Sequence, residues 1–257
     1  MPSSKNETAT ATYVYGIVPA RAKLKVEANG VGDPPSVIEV IEEGEIAALI
    51  SEVPRDRALG SPEDLRAHAQ VLDEIAAHSP VLPLRFGAVL ANADAVAEEL
   101  LEAHQDEFRD ALNELEGRAQ YLAKGRYVEK AIIKEILDEV PKAAQLREKL
   151  RGQPEDAGRE DRIALGELIN NEISRRRDRE TKRVAETLQS LDAQVNVRPP
   201  THELDAFQVS CLAEVARQGD LEDALGKLAD EWRGYVQVQL LGPLAPYDFV
   251  TTNKAKT

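Results

Sequence analysis

Apolar and polar residues alternate with different periods along the 257-residue chain, and these periods predict its strands and helices. Residues 13–18 are apolar throughout and rich in aromatic and β-branched types, which favours a central strand. Two further apolar runs, 37–41 and 46–53, flank a short acidic segment. Because Gly44 in that segment can adopt the positive φ of a tight turn, we predict a β-hairpin there.

A helix start follows the hairpin. Ser61 can cap the helix, Pro62 suits its first position, and the carboxylate of Asp64 completes a capping box. We expect this helix to stop before Pro80. An extended segment is predicted for residues 81–90.

A second helix is predicted to begin at Asn92, which can cap it, and to end at Gly117. These elements make a first α+β domain, β-β-β-α-β-α, over residues 13–117. Residues 1–12 are polar, and we expect them to form a disordered tail.

The second half predicts another α+β domain over residues 118–241. Without a helical insertion at about 141–191, its order is the β-α-β-β-α-β of a ferredoxin-like fold. Residues 242–257 are expected to form a C-terminal tail. The predicted elements are a strand at 119–127, helices at 128–140, 142–150 and 161–191, alternating strands at 195–197, 207–211 and 236–240, and a helix that Asp220 caps.

Charge narrows the possible partners. The chain carries a formal charge of −14 and has a pI of about 4.9. Nucleic-acid binders normally present a basic face, so we expect no DNA or RNA partner and no binding to anionic membranes. Cys211 is the only cysteine, and no apolar run is long enough for a membrane span. A cytoplasmic protein is predicted.

No segment of the sequence matches a catalytic motif. The chain has no phosphate-binding loop, nucleophile elbow or zinc-protease motif, so we predict a non-enzyme without cofactor or metal. The triplet at residues 30–32 contains two glycines but leads into Pro34 and Pro35 instead of a helix. Cys211 lies on the apolar side of a strand and is expected to be buried and inert. The histidines are expected to be ordinary surface or partly buried residues: His68, His78, His104 and His202.

Arg85 and Phe86 lie inside an otherwise apolar segment and are candidates for interaction or domain docking. A buried arginine without a partner is costly. Arg85 therefore either pairs with a carboxylate of a neighbouring helix, which we expect, or points outward at a binding surface.

A basic run lies in the middle of the long helix. No residue from 174 to 183 is apolar, so we expect this stretch to be solvated or to contact a polar partner. The run is either a solvated helix face or an electrostatic docking site formed by Arg175, Arg176 and Arg179.

The closing segment, residues 242–250, contains two prolines that exclude helix and central strand. It also carries Leu244, Tyr247 and Phe249, which should dock in a groove. That groove belongs either to the other domain of the same chain or to a partner subunit.

Several segments of the chain together carry a family resemblance. They are Tyr13-Val14-Tyr15-Gly16-Ile17-Val18, Ile50-Ser51-Glu52-Val53-Pro54, Val81-Leu82-Pro83-Leu84-Arg85-Phe86-Gly87, Gly242-Pro243 and Pro246-Tyr247-Asp248-Phe249-Val250. With these segments, in this order and over nearly its whole length, the chain resembles the gas vesicle GvpF/GvpL family. Gly125-Arg126-Tyr127 and the long inserted helices also stand in the expected order.

This resemblance implies two α+β domains, the second a modified ferredoxin fold. It implies an accessory protein that binds the main gas vesicle shell protein and other accessory proteins during nucleation of the shell, and a location at the gas vesicle. It carries over no catalytic residue. A small-ligand regulatory module of ferredoxin-like type is the alternative, supported by fold analogy alone.

Overall fold

A computed structural model describes residues 9–22, 27–154 and 157–250. The described chain divides into two compact units. The first contains the residues up to Gln120, Leu212–Ala216, and the residues from Gly242 onward; the second contains Tyr121–Cys211 and Arg217–Leu241. Residues 212–216 and 242–250, assigned from sequence to the second domain and the tail, thus belong to the first unit.

The first unit is built on an antiparallel sheet with the order β2-β3-β1-β4, and β5 also pairs with β1. Residues 11–18 of β1 are all buried, which confirms the predicted central strand. The strands are β1 (Thr10–Pro19), β2 (Glu39–Glu43), β3 (Ile46–Pro54), β4 (Leu82–Pro83) and β5 (Val89–Leu90).

The N-terminal tail is shorter than predicted. Residues 10–12 pair with residues 52–54 of β3, so they belong to the sheet and not to a disordered segment. Residues 1–8 of the predicted tail lie outside the described part of the chain.

The predicted hairpin is confirmed. β2 and β3 pair in antiparallel register with Glu43 opposite Ile46, and Gly44 has a φ of 59°. Gly44 is the first of two turn residues, the position at which a tight hairpin turn of this kind needs glycine.

Helix α1 (Pro62–Ala76) begins with the predicted capping box: Ser61 accepts from the Asp64 amide, and the Asp64 carboxylate accepts from the Ser61 amide. The helix ends at Ala76, a few residues short of Pro80. α1 covers one face of the sheet, where Val71, Leu72 and Ile75 join the apolar core.

The second predicted helix is not one regular helix. It starts after Asn92 as α2 (Ala93–Ala95), widens into a π-helical turn at Val96–Leu101, tightens at Glu102–His104 and becomes regular again in α3 (Gln105–Glu114). The apolar residues of this segment form a second core on the opposite face of the sheet. We infer that the helix departs from regular α geometry because burial of these residues stabilises the protein more than regular hydrogen bonding would.

The second unit has a four-stranded antiparallel sheet with the order β7-β8-β6-β9. The predicted helical insertion is present. The elements are β6 (Arg118–Tyr127), α4 (Glu129–Glu139), α5 (Pro141–Leu150), α6 (Arg159–Gln189), β7 (Gln194–Val197), β8 (Asp205–Glu214), α7 (Gln218–Glu231) and β9 (Val236–Leu244).

The alternating pattern of β8 predicted one buried face and one solvent-exposed face, and this prediction was wrong. Every residue from 205 to 213 is buried, including the polar Gln208 and Ser210. The Gln208 amide donates to the Asp205 carboxylate at 2.8 Å and to Thr201 at 2.7 Å, so its burial leaves the amide hydrogen-bonded.

Candidate functional site

His68 of α1 lies at the centre of a group of aromatic rings in the first unit, here called the aromatic cluster. Its members are Tyr13, Tyr15, His68, Phe86 and Tyr247. The His68 ring stacks on Tyr15 with 5.7 Å between centroids and meets Tyr13 and Phe86 edge-on, each also at 5.7 Å. Tyr247 lies 6.3 Å away in a tilted arrangement. Such edge and stacked contacts stabilise a core beyond the area they bury.

The polar atoms of the cluster form a continuous hydrogen-bonded chain. The Tyr13 hydroxyl lies 2.8 Å from His68 Nδ1, and the His68 Nε2 lies 3.2 Å from the Leu84 carbonyl. Because a carbonyl can only accept, Nε2 carries the proton and Nδ1 accepts from Tyr13. The Gly87 amide in turn donates to the Tyr13 oxygen at 3.3 Å. These hydrogen bonds hold Leu84 on α1 through His68 and Gly87 on β1 through Tyr13.

Burial keeps His68 uncharged. Only 3% of the residue is exposed, and this burial lowers the pKa of His68 to about 4, although the Leu84 carbonyl favours the protonated form. Burial also raises the pKa of Tyr13. The sequence predicted a surface or partly buried histidine, and the nearly full burial of His68 shows that this prediction was wrong.

Tyr15 connects the cluster to the loop that precedes β2. Its hydroxyl accepts from the Val31 amide at 2.7 Å and lies 2.8 Å from the Ser51 hydroxyl. A side chain at Gly30 would overlap the Ser36 carbonyl and the Tyr15 hydroxyl. Gly30 therefore permits close packing of this loop against Tyr15.

The closing segment docks on the first unit. The Ala245 amide donates to the Asp73 carboxylate of α1 at 2.8 Å, and the Asp248 amide donates to the Gln120 side chain at 3.0 Å. Ala245 is fully buried, whereas 41% of Tyr247 remains exposed. Burial raises the pKa of Asp73, and the bond from Ala245 opposes that rise.

The other two candidates of this segment are partly buried. Phe249 packs against the core on the α3 side of the sheet, and Leu244 is half-buried at the end of β9. The segment thus fills a groove of its own chain, the first of the two destinations left open by the sequence.

Arg85 is exposed and lies outside the strands, because β4 ends at Pro83 and a turn closes from Arg85 to Ala88. Within the part of the chain that the structure describes, no carboxylate pairs with it. The expected ion pair with a helix is therefore wrong. An arginine in water needs no counter-ion, and the alternative, an outward-facing side chain, is what the structure places here. Phe86 beside it is half-buried against Tyr13 and His68.

The three arginines of α6 have different environments. Arg176 is only 5% exposed and contacts Glu135 at 2.9 Å, Glu139 at 2.7 Å and the Tyr235 hydroxyl at 2.9 Å. Glu180 is also buried, at 3% exposure. The expectation of a solvated or partner-facing middle is therefore wrong at these two residues, because carboxylates of α4 offset the charge of Arg176, and Arg179 offsets the charge of Glu180.

The two neighbouring arginines are exposed, each with a local carboxylate. Arg175 lies 2.7 Å from Glu172, and Arg179 lies 2.8 Å from Glu180. The basic run is thus split between one buried ion-pair network and an exposed helix face.

The role of His68 was not predicted from the sequence. Two features of the sequence could have indicated it. Tyr13 and Tyr15 share one face of β1, and His68 lies one helical turn before Leu72 on the apolar face of α1. Neither feature identifies Phe86 of the turn or Tyr247 of the closing segment, because the contact of these rings with His68 depends on the tertiary fold.

The described residues contain neither a metal-binding cluster nor a membrane-spanning helix. Within residues 9–22, 27–154 and 157–250, no group of three or more histidine, cysteine or acidic side chains is placed to hold a metal ion. No helix in the described chain combines the length and apolarity needed to cross a bilayer. Cys211 is buried as predicted, and burial raises the pKa of its thiol to about 11.

Comparison with known proteins gives a consistent assignment. The model of the family described as gas vesicle synthesis protein GvpL/GvpF matches residues 11–251. Gas vesicle protein F of Streptomyces sp. (strain CB03234) is 31% identical over 242 residues, which cover 93% of this chain and 99% of that protein. Gas vesicle protein F of Dolichospermum flosaquae is 22% identical over 239 residues, covering 92% and 96%.

A solved structure shares the fold. The crystal structure of GvpF from Anabaena sp. PCC7120 superposes with a TM-score of 0.75 and 22% identity, covering 95% of this chain and all of that one. The residues that the family model matches, 11–251, include the Arg85 turn and the whole closing segment. The chain therefore belongs to the GvpL/GvpF family of gas vesicle synthesis proteins.

Proposed function

We propose that this protein is a non-enzymatic assembly factor of gas vesicles. It binds the main shell protein and other gas vesicle accessory proteins while the shell is nucleated, and it acts in the cytoplasm, at the vesicle. The observation that carries the proposal is the convergence of three separate segments on His68, which presents Arg85 outward on a rigid base.

The base is rigid because its polar atoms are bonded and its rings are packed. Tyr13, His68 and Gly87 form one hydrogen-bonded chain around the turn. A buried network that is fully satisfied holds one conformation. A partner that binds this turn therefore meets a surface that loses little conformational entropy on binding.

The exposed chemistry of the turn suits protein recognition. Arginine and tyrosine are enriched among the residues that dominate binding energy in protein interfaces. Arg85 is exposed, Phe86 is half-buried, and Tyr247 is exposed over 41% of its surface. Phe86 and Tyr247 both contact His68, so their rings are held together on one side of the first unit. We name Arg85, Phe86 and Tyr247 the Arg85 surface.

Net charge supports an assembly role. At −14, the chain repels its own copies and stays dispersed, which suits a protein that holds apolar subunits before they polymerise. The charge also favours partners with basic surfaces and speeds their encounter.

For the second unit we infer a modified ferredoxin-like fold. In support, β6, β7, β8 and β9 occur in the spatial order β7-β8-β6-β9, and the helices α4 and α7 follow β6 and β8 in the chain. This order places the first and third strands side by side in the centre, as a split β-α-β arrangement requires. The helical insertion then distinguishes this unit from a simple ferredoxin-like domain.

The test is co-purification with the main shell protein after co-expression. The variant Arg85→Glu reverses one charge on the Arg85 surface and should reduce captured shell protein by about tenfold, the effect of roughly 1.4 kcal/mol of binding energy. Arg233→Glu is the control: it reverses an exposed arginine of the second unit that is not among the candidate docking residues, and it should capture as much as the unchanged chain.

Equal capture by the two variants would contradict the assignment of this surface. Absence of capture by the unchanged chain, for the shell protein and for each accessory protein in turn, would contradict the assembly role itself.

A further inference from the structure

Among the described residues no strand pairs with the outer side of β2, which stands at the end of the strand order β2-β3-β1-β4. An edge strand has a row of backbone groups that can pair with another strand. β2 is five residues long, and three of its residues, Glu39, Val40 and Glu42, are exposed.

The hairpin geometry identifies the free backbone groups. Glu43 and Ile46 flank a two-residue turn and form its closing pair, so their backbone groups bond to each other. Hydrogen-bonded and non-hydrogen-bonded pairs alternate along an antiparallel ladder. Val40 and Glu42 therefore direct their N–H and C=O groups away from β3, and Ile41 directs its groups towards β3.

Side chains on this edge combine apolar area with negative charge. Val37 is 75% exposed and Val40 is 43% exposed. Val40 and Glu42 lie opposite Leu49 and Ala47, on the α1 side of the sheet, whereas Glu39 lies on the other side. An added strand would meet acidic and apolar residues on each face: Glu42 and Val40 on one, Glu39 and the half-buried Ile41 on the other.

We propose that β2 binds an extended segment of a partner protein in which a pair of apolar residues lies between lysines or arginines, and that this segment adds to the sheet as a new antiparallel strand. Basic residues of the segment pair across the strands with Glu39 and Glu42, and an apolar residue covers Val40. Opposite charges placed across strands are favourable, and like charges there are unfavourable.

The same charges exclude a second copy of this chain as the occupant. Two β2 edges brought together would oppose glutamates with glutamates, so the acidic edge prevents self-pairing and selects a basic strand. This inference does not depend on the Arg85 surface: it uses other residues, and either can fail alone.

The probe is a synthetic peptide, acetyl-Thr-Lys-Lys-Val-Val-Lys-Thr-amide, with a fluorophore for anisotropy titration into the full chain. Paired antiparallel with β2, its lysines face the three glutamates and its valines face Ile41 and Val40. Its counterpart carries glutamate in place of each lysine. Val40→Pro removes one outward N–H, at a position where an edge strand tolerates proline, and Val40→Thr is the control that keeps it. We expect Val40→Pro to weaken binding of the lysine peptide about tenfold relative to Val40→Thr.

Reversal of the charges on β2 gives a second test of the proposal. The double variant Glu39→Lys with Glu42→Lys should bind the glutamate peptide better than the lysine peptide, the reverse of the unchanged chain. Should Val40→Pro not fold, amide exchange of the unchanged chain replaces it. The lysine peptide must then slow exchange at Val40 and Glu42 and leave Ile41 unchanged.

Equal binding of the two peptides to the unchanged chain would overturn the proposal. So would equal lysine-peptide affinity of folded Val40→Pro and Val40→Thr, or concentration-dependent dimerisation that Glu42→Lys abolishes.

Discussion

The hydroxyl of Tyr13 and Nδ1 of His68 lie 2.8 Å apart, although 55 residues separate them in the chain. This bond joins the central strand of the first unit to α1, and both partners are almost fully buried. The Arg85 turn depends on it, because the Gly87 amide donates to the same hydroxyl. Its energetic contribution can be measured by removing the oxygen atom alone.

Tyr13→Phe keeps the ring and leaves His68 Nδ1 and the Gly87 amide without a partner. A buried polar group that loses its partner costs about 1–3 kcal/mol. We expect the free energy of unfolding, measured by urea denaturation, to fall by that amount. Tyr247→Phe removes a hydroxyl from the ring of the cluster that is 41% exposed and should change the free energy of unfolding by under about 0.5 kcal/mol. Equal losses in the two variants would contradict the proposed network.

Stability should fall on acidification because of His68. The unfolded chain binds a proton at this residue below its ordinary pKa of 6.5, whereas the folded chain binds it only below about 4. Between these values the unfolded state binds more protons, so stability is complete above pH 6.5 and decreases as the pH falls towards 4. The His68 contribution to that decrease is on the order of 3 kcal/mol.

The comparison variant is His68→Gln, whose amide can accept from Tyr13 and donate to Leu84 without titrating. Other acidic groups titrate equally in both proteins, so the difference between the two stability curves isolates His68. That difference should change between pH 6.5 and 4 and be flat from pH 7 to 8. Parallel curves across the acidic range would show that His68 is not buried in its neutral form.

Local patterns in the sequence sufficed for much of the fold. The capping box at Ser61 and the turn at Gly44 involve residues within four positions of each other, so the sequence shows both partners. The apolar run at 13–18 predicted a central strand because burial on both faces requires it.

The candidate site depends on contacts that local patterns do not contain. His68 meets rings from β1, from the turn at Phe86 and from the closing segment at Tyr247, and no spacing rule connects these. Arg85 was placed in a strand because its neighbours are apolar, whereas a strand of two residues ends before it. Arg176 was placed in solvent because its neighbours in sequence are polar, whereas its partners are on α4.

Arg176 therefore gives a prediction about stability. Arg176→Ala removes the guanidinium that Glu135, Glu139 and Tyr235 share. The loss of a buried network of this type should lower the free energy of unfolding by about 2 kcal/mol or more. Arg175→Ala removes an exposed arginine one position earlier and should cost under about 0.5 kcal/mol. Chemical denaturation followed by circular dichroism distinguishes the two, and equal costs would contradict a structural role for Arg176.

Gly125 and Phe207 provide the sharpest test of packing in the second unit. The Phe207 ring lies directly over Gly125, so a Cβ at this position would overlap ring atoms, and Phe207 itself is 1% exposed. Gly125→Ala must therefore displace a buried ring, and overpacking of this kind costs about 1–3 kcal/mol. Gly166→Ala is the matched control, because a Cβ there meets nothing within 4 Å. Gly166 lies inside α6, where alanine should stabilise the helix by up to about 1 kcal/mol. In thermal unfolding, Gly125→Ala should therefore lower the stability of the protein and Gly166→Ala should raise it, although the chemical change is the same.

A double-mutant cycle tests the contact directly. Adding Phe207→Leu, which shortens the opposing side chain, should cost less stability in the Gly125→Ala background than in the unchanged chain, since the two residues contact each other. Additive effects in that double-mutant cycle would show that Phe207 does not pack on Gly125.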